Sequence, residues 1–215
     1  IDLFDAADPN APVLTNTRLA GGTGNDLIDA ATANSTVAGD AGNDTLTGNH
    51  SDSLLFAGSG NDLIMVTATG PATSIDGGPG ADTITGAMQG GMVQGGAGND
   101  VLSAGPGGTT VSGGVGADQL VIAATPPVTG DGLGFVAEGG LDADSFEITT
   151  NEGQGDPLTW DSPTVSTTDT QAVRVTTGMI TDFSPGTDLL VIDGTPLDRA
   201  FALTSVTLDE VTHGT

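Results

Sequence analysis

The sequence predicts an all-β chain wound as a two-sheet parallel solenoid of 18 residues per coil. Three observations predict it. Glycine-rich turns recur on a fixed beat, starting at Gly21, Gly39, Ala57, Gly77, Gly95 and Gly113, with steps of 18, 18, 20, 18 and 18 residues. Each turn ends in a carboxylate on the same beat: Asp26, Asp44, Asp62, Asp82, Asp100 and Asp118. One apolar side chain follows every nine residues: Ile28, Val37, Leu46, Leu55, Ile64, Ile75, Ile84, Val93, Leu102, Val111 and Leu120. The single longer step, 11 residues from Ile64 to Ile75, holds Gly70-Pro71, which reads as a two-residue loop insertion. A fixed period of this kind marks stacked repeats, each of which buries its apolar face only against its neighbours.

Taken in order, residues 1–20 are weakly patterned and read as a lead-in. Residues 21–122 are the repeats. Gly95-Gly96-Ala97-Gly98-Asn99-Asp100-Val101-Leu102-Ser103 shows the unit: a six-residue turn, then a three-residue strand with one buried side chain. Between successive units lies a degenerate one that keeps the apolar residue and replaces the acid with Ser35, Ser53, Thr73, Gly91 or Thr109. Each nine-residue unit is half a coil, and coils stack at about 4.8 Å into two parallel sheets with the apolar residues between them. Residues 123–138 interrupt the beat. Residues 139–215 hold a last repeat and a C-terminal region. The last turn, Gly139–Glu147, has Asp142 where glycine is usual and Asp144 as its carboxylate. Residues 151–172 read as a polar loop. Ala172–Val175, Met179–Ile180, the apolar run ending at Ile192, and residues 201–208 read as strands.

Composition narrows the function. A net charge of −25, from 28 acids against three arginines, excludes a nucleic-acid or anionic-membrane binder and favours cations as partners. No cysteine is present, so there is neither a disulfide framework nor a thiolate metal site. No apolar run approaches the roughly 18 residues of a membrane span, so direct membrane insertion is not expected. No signal peptide is visible, and a chain that starts at Ile1 reads as part of something longer, with other domains of the same chain as partners.

Residues 18 apart lie above one another in such a stack, so the six aspartates form a single file on one edge. Carboxylates about 5 Å apart repel by roughly 1 kcal/mol even in water, and more when buried. Hard oxygen donors with backbone carbonyls from the turns suit Ca²⁺, which takes 6–8 oxygens in flexible geometry, better than Mg²⁺ with its tight octahedron. Zn²⁺ lacks its ligands here, since only His50, in a degenerate turn, and His213 offer nitrogen. The hydroxyl edge cannot replace a carboxylate, and only Asp52, beside Ser53, stands there as an exception. One file of several calcium ions is expected, not two. With so thin an apolar core, the repeats are expected to need metal to fold.

The repeats resemble the RTX (repeats-in-toxin) nonapeptide, GGxGxDxUx with U apolar. Gly21–Asp29, Gly39–Thr47, Ala57–Met65, Gly77–Thr85, Gly95–Ser103 and Gly113–Val121 match it, with Ala57 and Asp40 as departures. The resemblance implies a right-handed parallel β-roll. It implies calcium held between turns by the carboxylates, Asp144 included, and by turn carbonyls at Gly21 and Thr23, Gly39 and Ala41, Ala57 and Ser59, Gly77 and Pro79, Gly95 and Ala97, Gly113 and Val115. It also implies export by type I secretion machinery and folding outside the cell. Gly139–Glu147, Ile180-Thr181-Asp182-Phe183 and Gly186-Thr187-Asp188 are similar to the end of the C-terminal domain of serralysin-type proteases, which implies a β cap on the roll.

No catalytic motif accompanies these features. HExxH, GxSxG and a P-loop are absent, and no helical pattern follows the glycine runs as a dinucleotide fingerprint requires. The expected function is a non-catalytic calcium-binding domain of a secreted, extracellular protein. The alternative is a structural or adhesive module of an adhesin, surface-layer or matrix protein. Ice binding through outward threonines, as in some RTX adhesins that the repeats also resemble, is argued against by Leu27, Leu63, Met65 and Val101, which break the threonine ranks.

Overall fold

The structure is a computed structural model and describes residues 12–105, 108–124, 135–150, 164–165, 173–175, 178–184, 187–192 and 195–196. Residues 1–11 of the lead-in, 125–134 of the interruption, most of the 151–172 loop, the 201–208 strand and His213 lie outside these.

The described residues hold strands and no helix. The chain alternates between two sheets. The first runs Leu14–Thr15, Thr32–Ala33, Thr45–Ser51, Leu63–Thr69, Thr83–Gln89, Val101–Ala104, Gln119–Ala124, Ser145–Thr150 and Leu189–Ile192, all parallel, with Leu27–Asp29 also on Thr45–Ser51. The second runs Arg18–Thr23, Thr36–Ala41, Leu54–Ser59, Ser74–Pro79, Met92–Ala97, Thr109–Val115, Phe135–Leu141 and Gly178–Ile180, also parallel. Short antiparallel strands close the far side of each sheet: Thr195–Pro196 on the first, Val173–Val175 and Thr164–Val165 on the second. This is the two-sheet solenoid that the 18-residue beat requires.

The register places like on like. Leu46 pairs with Ile64, Ile64 with Ile84, Ile84 with Leu102 and Leu102 with Leu120 in one sheet. Val37, Leu55, Ile75, Val93 and Val111 stack in the other. All eleven apolar positions of the nine-residue beat are buried between the sheets. The two extra residues at Gly70-Pro71 bulge into an edge turn, where the Thr73 amide donates to the Gly70 carbonyl (3.2 Å), and the ladder resumes in phase. That is why a 20-residue coil does no damage.

The strands are longer than three residues, and the core is correspondingly wider than one side chain per half coil. In the first sheet they continue through residues that read as degenerate turns. Thr45–Ser51 contains Gly48, Asn49 and His50, and His50 is buried. Further inward positions follow at Val66, Ala68, Met88, Ile122 and Ile148. The backbone there gains a full parallel ladder with the next coil (Gly48 with Val66, Asn49 with Thr67, His50 with Ala68), which outweighs local turn propensity. The coil is therefore asymmetric. One edge turns through a glycine-rich loop. The other turns tightly through Asn16, Asn34, Asp52, Gly70 or Gly108 in the left-handed region, or through the pair Gly90-Gly91. Asp52 belongs to this set, with φ of 48°, and is exposed.

The glycine-rich edge depends on close backbone approach. Gly98 has φ of 133°, and a Cβ there would stand 1.8 Å from the Gly80 carbonyl oxygen of the coil below. Outside the roll, Leu54 and Phe56 (each 40 % exposed) and Met92 (42 %) lie on the outer face of the second sheet, as alternation from Leu55 and Val93 dictates.

Because Leu102 is fully buried between neighbours that cannot collapse onto it, Leu102→Ala is expected to lower stability by about 2–5 kcal/mol, read from the urea midpoint.

Candidate metal centre

The glycine-rich turns set the aspartates in place. In each coil a strand of the second sheet enters the turn, two left-handed residues reverse the chain (both glycine except where Asp40 and Asp142 stand), and the aspartate begins the next strand with its carboxylate folded inward. Asp44, Asp62, Asp82, Asp100, Asp118 and Asp144 are each no more than 3 % exposed. Each Oδ1 accepts the backbone N–H of the aspartate one coil earlier. The rungs are Asp26 to Asp44 (2.7 Å), Asp44 to Asp62 (2.6 Å), Asp62 to Asp82, Asp82 to Asp100 and Asp100 to Asp118 (2.8 Å each), and Asp118 to Asp144 (2.9 Å). Asp144 then donates to Asp188 (3.1 Å), which extends the file by a residue that its distance in sequence concealed.

The second oxygen is the chemically informative one. Oδ2 of Asp26, Asp44, Asp62, Asp82, Asp100 and Asp118 is buried and has no hydrogen-bond partner. A methyl group built on Gly21, Gly39, Gly77, Gly95 or Gly113 would overlap both the Oδ2 of its own turn and the carbonyl oxygen at the same position one coil on. Those carbonyls belong to Gly39, Ala57, Gly95, Gly113 and Gly139. Anionic and neutral oxygens thus converge from consecutive coils with no donor between them. Among the described residues no three acidic or histidine side chains converge, so further donors to a cation would be backbone carbonyls. Carbonyls at the third turn position, Ala41, Ser59, Pro79, Ala97 and Val115, each accept the N–H of the fourth-position glycine one coil earlier at 2.7–3.0 Å, which leaves a second lone pair. Gly21 and Thr23 hold the same two positions in the first coil. Ala57 is the departure at the first position, with its methyl buried.

Electrostatics follow the geometry. Burial pushes the carboxyls of Asp62, Asp100 and Asp144 above the usual range, and those of Asp82 and Asp118 to about 6. Neighbouring charges add to this: Asp100, Asp62 and Asp76 around Asp82, and Asp100, Asp144 and Asp142 around Asp118. The N–H rungs oppose the shift without cancelling it. A divalent cation supplies what this file lacks, a positive charge shared between carboxylates, and the residues present fit it.

At its far end the file stops on backbone N–H groups. Asp188 Oδ2 accepts from Ser184 N (2.7 Å), and Asp182 takes the N–H groups of Gly139 (2.9 Å) and Gly140 (2.6 Å). Phe183 beside Asp182 packs on Phe146 at 6.1 Å between ring centroids.

The turn asparagines carry a role that the glycine-rich pattern hid. Asn25, Asn43, Asn61 and Asn99 each accept the N–H at the same position one coil later, at 2.9–3.0 Å. This ladder runs opposite in sense to the aspartate ladder, so the same loop is tied to both neighbours. His50 lies not in a turn but in a strand, 2.7 Å through Nδ1 from Thr32 Oγ1. Burial lowers its pKa to about 4, which leaves it neutral.

A carboxyl whose pKa is raised by folding makes the folded state hold its proton more tightly. The resulting penalty is absent below about 3.8 and fully present above about 6. With chelator present, the β signal in circular dichroism is therefore expected to rise on acidification from pH 7.5 to pH 4.5, and Asp82→Asn is expected to flatten that rise.

The model for the RTX calcium-binding nonapeptide repeat matches four times, over residues 15–34, 29–64, 74–88 and 92–120. No curated protein and no solved structure matches the chain. The matched residues are the coils just described, beginning ahead of Gly21, and the roll they build is a structural, non-catalytic module. The matched residues are thus repeats of the RTX calcium-binding nonapeptide type, folded as a parallel β-solenoid that matches a β-roll.

Proposed function

We propose that the domain binds several calcium ions in a single file along its glycine-rich edge and takes its final order from them. Six buried Oδ2 atoms without partners, stacked one per coil, carry this reading. The aspartates from Asp26 to Asp144 would hold the ions together with turn carbonyls of the next coil, and calcium would supply the charge that burial and like-charge repulsion leave missing. The other edge would hold none, since serines and threonines stand there and Asp52 is an exposed turn residue.

The rest of the biology follows from calcium dependence. A chain whose glycine-rich edge orders only where calcium is abundant suits export by type I secretion machinery and completion of folding outside the cell. Residues 21–122 would form the roll, and 139–215 its last repeat and cap. The contacts of Asp182, Phe183 and Asp188 support the serralysin-like reading of that cap. Leu54, Phe56 and Met92, exposed on one outer face, favour a second role in contact with a neighbouring domain or an extracellular surface.

In a calcium titration followed by circular dichroism, the chain is expected to gain β signal and to lose it with excess chelator. A repeat domain fully ordered in chelator would refute the reading. Each site filled at about 100 times its dissociation constant adds about 2.7 kcal/mol. Asp100→Asn, in mid-file, should therefore lower the calcium-dependent rise in melting temperature without abolishing it.

A further inference from the structure

The two edges of the roll use one hydrogen-bond pattern with two chemistries. On the calcium edge a backbone N–H donates to a carboxylate one coil on, and the second carboxylate oxygen is left unpaired. On the opposite edge the rung is built from hydroxyls. Thr17 N donates to Ser35 Oγ (3.0 Å) and Ser35 N to Ser53 Oγ (3.2 Å), across the same 18-residue step.

The hydroxyls of Thr17, Ser35 and Ser53 carry no charge and each bring a proton of their own to donate, whereas Thr109 Oγ1 further along this edge is buried without a partner. Thr17 Oγ1 donates to the Thr15 carbonyl (3.1 Å), Ser35 Oγ to that of Ala33 (2.8 Å) and Ser53 Oγ to that of Ser51 (2.9 Å). Thr73 reaches the equivalent carbonyl of Thr69 (2.6 Å), two residues further back because of the insertion at Gly70-Pro71. The proton stands where the other edge needs a cation. Ser53 is fully buried and Ser35 nearly so, which protects the bonds from water. The N–H-to-hydroxyl rungs end at Ser53, and further along this edge Gly91 has no side chain to offer one.

We propose that Thr17, Ser35 and Ser53 are positioning residues for calcium binding. They form a metal-free spine that keeps the first three coils in register before calcium closes the opposite edge. The proposal rests on the calcium reading for its second half, but the spine itself needs no metal. A carboxylate edge held partly in register loses less conformational freedom when it binds, so the spine raises calcium affinity.

The test is amide hydrogen exchange on the full chain, in calcium and in excess chelator, with Ser53→Ala and the conservative Ser53→Thr. In chelator, the amides of Thr17, Ser35, Leu54 and Ser74 are expected to exchange at least about tenfold more slowly than those of Asp44, Thr45, Asp62 and Leu63. Ser53→Ala should remove the protection of the Ser35 amide and weaken calcium binding in equilibrium dialysis, and Ser53→Thr should restore both. Equal exchange at the two edges in chelator, or an unchanged Ser35 amide in Ser53→Ala, would overturn the spine. If dialysis finds no bound calcium, the calcium reading fails. The response of the Ser35 amide to Ser53→Ala and Ser53→Thr then still decides whether the hydroxyls hold that edge.

Discussion

A file of carboxylates at strand spacing is the constraint on which this molecule turns. Parallel stacking fixes the distance between coils at about 4.8 Å, and an 18-residue coil sets each aspartate over the last. The backbone satisfies one oxygen of each carboxylate with an N–H of the neighbouring coil, then has no further donor to offer. What is left is a row of buried negative charge in a chain that already carries a net charge of −25. Burial, joined by repulsion from neighbouring carboxylates, pushes two of these carboxyls up to about 6, and a cation would resolve the same conflict at neutral pH.

The rest of the coil is arranged around that edge. Left-handed glycines bring each turn close enough to its neighbour for carbonyl and carboxylate oxygens to converge, at positions where a Cβ would collide with backbone. Asparagine side chains tie the loop to the next coil while aspartate side chains tie it to the one before. The far edge turns more tightly, through one left-handed residue such as Asn34 or Asp52, or through the pair Gly90-Gly91. The C-terminal end closes with backbone donors: Asp182 takes up two glycine N–H groups, and Asp188 ends the carboxylate ladder against Ser184.

Much of this is legible in the sequence because the repeat speaks many times. A lone glycine-rich turn ending in aspartate is only a turn; six in phase specify a stack, and the eleven apolar residues on the nine-residue beat are all buried. What stays hidden has physical reasons. Thr47-Gly48-Asn49-His50-Ser51 has turn composition yet forms strand, because its hydrogen bonds come from a coil 18 residues away and not from its own neighbours. Asp188 lies 44 residues beyond Asp144, so no period reveals that it continues the ladder. The asparagine ladder is invisible because asparagine is an ordinary turn former, and only stacking gives its carbonyl oxygen a partner. The hydroxyl edge reads as the loss of an acid, whereas in three dimensions it is the same rung carrying its own proton.

The central claim is that calcium occupies one edge and not the other. Anomalous diffraction from a calcium-loaded crystal tests it most directly. Peaks in a single row, beside the Oδ2 atoms of successive aspartates and spaced by about one coil, are the predicted result. Two rows, one on each edge, or no peaks along the aspartate file, would contradict it.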